Sequence, residues 1–189
     1  MKKSSRGAVA NRRLPHPVSI KRFLDDPNFL GDGSRWPEIR AEAIRIVERD
    51  PTEIALAWGT GAGKTALGAD LFCYYAHKIL PDIATGKFFD GYGLRGDKPV
   101  FFFCLATRTQ QARDNFFAEV RGRIDYSPWF QEHFPPDEHI ASRIIFTRPE
   151  KQGAKWVNER LPLIIEPQGC STRGPLAYDT YCCAIDEAG

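Results

Sequence analysis

The chain has 189 residues, 42% of them hydrophobic and 26% charged, which allows one sizeable core and makes a second independent domain unexpected. No apolar stretch reaches the roughly 20 residues that span a bilayer, and the basic start MKKSSRGAVANRR lacks the apolar run of a secretory signal, so no membrane role and a cytoplasmic location are expected. The net charge of +2 conceals an imbalance: Lys2, Lys3, Arg6, Arg12, Arg13, Lys21 and Arg22 precede the first acidic residue, Asp25, and acidic residues outnumber basic ones thereafter.

Residues 1–19 carry Pro15 and Pro17 and no periodic apolar positions, and they are expected to form a flexible basic arm. Such an arm suits phosphate backbones, although a solvated tail is the simpler reading. Order begins near Ile20. Residues 20–52 form an N-terminal helical segment, in which Trp36, Ile39, Ala43 and Ile46 recur at helical spacing from Pro37 until Asp50-Pro51 ends the pattern.

From residue 53 the order is strand, glycine loop, helix: EIALAW at 53–58, GTGAGKT, then Leu67, Leu71, Tyr75 and Ile79 at i, i+4 spacing until Pro81. The stretch from Thr85 to Gly96 reads as a surface loop, VFFFCLA at 100–106 as a fully buried strand, and Thr109 to Arg121 as a helix with Ala112, Phe116, Phe117 and Val120 on its buried side. SPWFQEHFPPDEH has no clear period and is taken as loop with a helical turn. Short apolar runs at 143–147, 161–166 and 181–185 read as strands. Alternating strands and helices imply an α/β fold with a layered, largely parallel sheet.

The five cysteines, Cys73, Cys104, Cys170, Cys182 and Cys183, form no CxxC pair and sit mostly in apolar runs, so free thiols and no structural metal are expected. His16, His77, His133 and His139 have no ligand-like grouping and read as surface or loop residues.

The chemistry concentrates in two motifs. A phosphate-binding loop needs backbone N–H groups aimed at one point, and therefore glycines where a side chain would obstruct the anion or forbid the dihedrals. Residues Gly59, Thr60, Gly61, Ala62, Gly63, Lys64 and Thr65 answer that need. Lys64 would meet the β- and γ-phosphates, Thr65 would give its hydroxyl to Mg²⁺, and the following helix would direct its positive end at the anion. Trp58 stands where the strict GxxxxGK[ST] pattern has glycine. The second motif is YCCAIDEAG, an apolar strand ending in Asp186 and Glu187. Asp186 would hold Mg²⁺, and Glu187 would orient and deprotonate the attacking water, a pairing that favours hydrolysis over transfer to a hydroxyl. The cofactors expected are ATP and Mg²⁺.

With those motifs in place, the chain resembles the large terminase subunit of tailed phages over most of residues 20–189. VSIKRFLDDPNFLG before the glycine loop, FFFCLATRTQQARDNFFAEV after it, and CSTRGPLAYDTYCCAIDEAG stand in the same order as in that family. The resemblance implies a three-layer P-loop NTPase sandwich of ASCE type, spanning residues 53–189, that hydrolyses ATP to move double-stranded DNA. It implies a small terminase subunit, a portal protein and other copies of the chain as partners. It also implies a further strand, later in sequence, between EIALAW and the strand ending at Asp186, so the C-terminal part of the core and the nuclease domain are expected to be absent here. Arg108, Arg113, Arg121 and Arg123 lie where the resembling motors approach DNA, although a solvated helix face is the simpler reading. Arg173 is a candidate for acting on phosphate, in this subunit or a neighbour, and equally an exposed turn residue. A helicase-like DNA-dependent ATPase and a non-catalytic truncated remnant are the competing readings.

Overall fold

A computed structural model describes residues 14–31, 33, 35–59, 61–152, 155–170 and 178–186. The expected arm up to Arg13, Thr60, Arg173 and Glu187 lie outside the described residues. The elements in chain order are α1 (Ile20–Asp25), α2 (Pro37–Arg49), α3 (Lys64–Thr85), α4 (Lys87–Tyr92), β1 (Val100–Ala106), α5 (Thr109–Ala112), a π-helical turn (Arg113–Phe117), α6 (Ala118–Tyr126), α7 (Pro128–His133), β2 (Ile144–Gln152), β3 (Lys155–Gly169) and β4 (Asp179–Ile185). No described helix is long and apolar enough to cross a membrane.

The sheet order is β2-β3-β1-β4. β1 runs parallel to both neighbours, with Val100 opposite Leu163 and Asp179, while β2 and β3 pair antiparallel. Every residue of β1 is buried, as its unbroken apolar run predicts for a strand covered on both faces. Its side chains alternate between two clusters. Val100, Phe102 and Cys104 join the main core with the buried residues of α1 to α4, α6 and α7, and Phe101, Phe103 and Leu105 meet Ile145 and Ile164 on the opposite face. α3 is buried nearly all round, which makes it the central helix of the main core.

Several expectations are corrected. Residues 53–59 are irregular, not a strand. Leu56 and Trp58 pack against the main core, but Ile54 is 38% exposed, and no described strand lies beside this segment to accept its backbone hydrogen bonds. An apolar pattern without a ladder partner does not make a strand. α3 does not stop at Pro81 but continues to Thr85, because Leu80, Pro81 and Ile83 are all buried and the packing outweighs the missing N–H. The expected loop after Thr85 contains α4, held by buried Phe88 and Phe89. The segment after Tyr126 takes its expected helical turn as the short α7, which brings Trp129 and Phe130 into the core. The helix from Thr109 is interrupted by its π turn, which turns both Phe116 and Phe117 inward.

His77 is fully buried on α3, not at the surface. Its Nε2 accepts from the Val18 backbone N–H at 3.0 Å, and Phe23, Phe29 and Trp129 surround the ring. Burial, with a smaller contribution from His133, lowers its pKa from 6.5 to about 3. Cys73 and Cys104 are buried as expected of small hydrophobes, whereas Cys170 and Cys183 are exposed.

Candidate functional site

The glycine loop is built locally. Gly61 and Gly63 take φ of +77° and +81°, left-handed conformations that side chains rarely adopt, and Gly63 caps the N-terminus of α3. Ala62 N–H donates to the Gly59 carbonyl at 3.3 Å, closing the turn. Its N-cap, Gly63, makes no side-chain capping bond, and its first turn holds no acidic residue, so the positive end of a 22-residue helix is not neutralised from within its own first turn. Lys64 Nζ donates to the carbonyls of Trp58 and Gly59 at 2.6 and 3.1 Å, which places the cation on the rim of the loop. Thr65 follows in the first helical turn, half-buried. These residues fit a phosphate chain: positive φ at two glycines, a bare helix start and one ammonium.

Asp186 lies one residue beyond β4, half-buried, and its N–H donates to the Leu105 carbonyl at 2.9 Å. Cys170 N–H donates to the Ala106 carbonyl at 2.9 Å, and Gly169 N–H to Thr109 Oγ1 at 3.0 Å. The carboxyl ends of β1, β3 and β4 therefore meet at one edge with the start of α5, the edge where parallel α/β sheets bind ligands.

Sequence reasoning missed a second cluster. Asp70, buried on α3, is gripped by two arginines: Arg35 Nε and Nη2 donate to its two oxygens at 2.6 and 3.1 Å, and Arg123 Nε donates to Oδ1 at 2.8 Å. Arg35 also donates to the carbonyls of Leu24 and Leu30, and Arg123 to the Ala66 carbonyl and to Glu119. Burial works against the Arg123 cation, but Asp70 and Glu119 more than offset it and hold its pKa above the ordinary value. An acidic residue inside the apolar run LGADLF was the available signal. Arg123 is thus not part of a solvated basic face, and neither is Arg121, which donates to the carbonyls of Ile140 and Arg143 and pairs with Asp125. Arg108 and Arg113 are exposed.

An α/β sheet with a glycine loop entering a long central helix defines a P-loop domain, the class of nucleotide-binding NTPase folds. The chain belongs to the family described as "Uncharacterized protein MJ0330, N-terminal P-loop domain", whose match covers residues 38–150, more than half of the chain. That span holds the glycine loop, α3, β1 and the start of β2 and ends before Asp186. No curated protein and no solved structure matches the chain.

Proposed function

We propose that this domain binds ATP at the loop from Gly59 to Thr65 and hydrolyses it. The reading is carried by the uncapped start of α3, where two left-handed glycines precede Lys64. In the proposed complex the phosphate oxygens replace the Trp58 and Gly59 carbonyls as acceptors for Lys64, a charge-assisted exchange. Thr65 and Asp186 are the residues proposed to hold Mg²⁺, which when bound neutralises charge on the β- and γ-phosphates. Glu187 is proposed to take the proton of the attacking water. Titration with ATP tests the reading: Lys64→Ala is expected to abolish binding, and unchanged affinity would refute the loop's assignment. Glu187→Gln should keep nucleotide binding and lower turnover by about 10²- to 10⁴-fold, since an amide cannot accept the proton.

The order of sequence motifs supports a finer reading, the ATPase motor of a phage terminase large subunit acting on double-stranded DNA in the host cytoplasm. The matched family neither names nor implies that role, so it rests on the motif resemblance alone. The terminase small subunit, the portal protein and further copies of the chain are partners on the same basis. Turnover measured with and without double-stranded DNA discriminates: stimulation supports the motor, and its absence in an active protein counts against it.

A further inference from the structure

A cleft of about 790 Å³ opens beside the glycine loop, between α3, α6 and the segment leading into α2. Gly63 and Ala66 border it, so the cleft begins one residue from Lys64. Its volume lies within the roughly 300 to 1,000 Å³ of small-molecule sites. Two large aromatic side chains stand at it largely uncovered, Trp36 at 58% exposure and Tyr126 at 89%.

The floor is polar but electrically balanced. Asp70 lies between Arg35 and Arg123, and Glu119 pairs with Arg123, so two cations face two carboxylates. Such a floor does not favour a second phosphate; it favours a flat, neutral group with donors and acceptors at its edge. Ser127 supplies a further sign. It borders the cleft, is 1% exposed, and its Oγ has no hydrogen-bond partner among the described residues. Ser127 occupies the N-cap of α7, where a serine ordinarily accepts from the first turn, yet its side chain makes no capping bond. A buried hydroxyl without a partner is costly and calls for an explanation.

We infer that this cleft receives the base and ribose of the nucleotide whose phosphates the glycine loop holds, with Trp36 and Tyr126 offering stacking faces and Ser127 a hydrogen bond to the sugar or base edge. This rests on the phosphate-binding reading of the loop. A nucleotide anchored by its phosphates at residues 61–65 must send its remaining atoms out past the loop, and Gly63 is shared between loop and cleft, with Ala66 next after the loop on the cleft wall. An aromatic face stacks any base, so Trp36 and Tyr126 supply affinity and the polar floor supplies selectivity.

Calorimetric titration of the whole chain with ATP and with inorganic tripolyphosphate, both with Mg²⁺, separates the two halves of the site. Wild type should bind ATP at least tenfold more tightly than tripolyphosphate. Trp36→Ala should remove about tenfold of that preference, Trp36→Phe should restore most of it, and Ser127→Ala should weaken ATP several-fold, all leaving tripolyphosphate affinity unchanged. Trp36 is exposed and the Ser127 hydroxyl is unpartnered, so these variants should melt with the wild type. Equal affinity for both ligands, or a Trp36→Ala protein with undiminished preference, overturns the base site while leaving the phosphate loop intact. Failure of wild type to bind either ligand overturns both.

Discussion

Replacing Asp70 by alanine tests a buried ionic anchor of the fold. The carboxylate is 1% exposed and takes hydrogen bonds from Arg35 and Arg123, whose side chains are only 13% and 19% exposed. Its removal leaves two poorly hydrated guanidinium groups facing each other, and breaking a buried pair in this way costs about 3 to 5 kcal/mol. The lower end applies, because Arg35 keeps the Leu24 and Leu30 carbonyls and Arg123 keeps Glu119. A loss of about 3 kcal/mol from a total of roughly 5 to 15 is large, and for a domain of this length it lowers Tm by about 6 to 12 °C. Thermal melting followed by circular dichroism reads it. Adding Arg123→Met to Asp70→Ala should recover part of the loss, since it removes one stranded cation, and this non-additivity separates an ionic cause from a packing one. A melt for Asp70→Ala within about 2 °C of wild type would refute the reasoning.

Three other outcomes follow from the structure. A Cβ on Gly31 would lie 2.3 Å from the Asp25 carbonyl oxygen and 2.6 Å from the Asp26 carbonyl carbon, backbone atoms that cannot swing aside. Gly31→Ala should therefore destabilise by about 1 to 3 kcal/mol in a urea titration, and a neutral result would show that the turn after α1 is not closely packed. His77 has its pKa lowered to about 3 by burial, so the unfolded chain takes up a proton below about 6.5 that the folded protein refuses. Stability from this group is flat above pH 6.5 and falls by about 1.4 kcal/mol per unit as pH drops from 6.5 towards 3. His77→Gln should flatten that slope in urea titrations at pH 7, 5.5 and 4.5, and an unchanged slope would assign it to other groups. Gly63→Ala strains a φ of +81° and brings a Cβ to 2.8 Å from Ile39 Cδ1. It should weaken ATP and tripolyphosphate alike, unlike Trp36→Ala, and selective loss of ATP would argue against a phosphate role for the loop.

What the sequence determined by itself was whatever depends on neighbours along the chain. GTGAGKT could be read because left-handed glycines, a helix start and a lysine are local requirements, and the structure forms them at Gly61, Gly63 and Lys64. VFFFCLA could be read because a strand covered on both faces is apolar at every position. The extent of α3 beyond Pro81 and the fold of α4 were not legible, since buried packing around Pro81, Phe88 and Phe89 overrides turn-forming residues. EIALAW carried an apolar signal, but whether an apolar segment forms a ladder is decided by the backbone beside it. Tertiary structure alone decided the Asp70 cluster and the cleft. Asp70 meets Arg35 and Arg123 from 35 and 53 positions away, and nothing in a linear spacing announces such partners. Hydrogen bonds and aromatic faces between distant segments exist only once the core has brought them together, which is why the glycine loop was visible in the sequence and the cleft beside it was not.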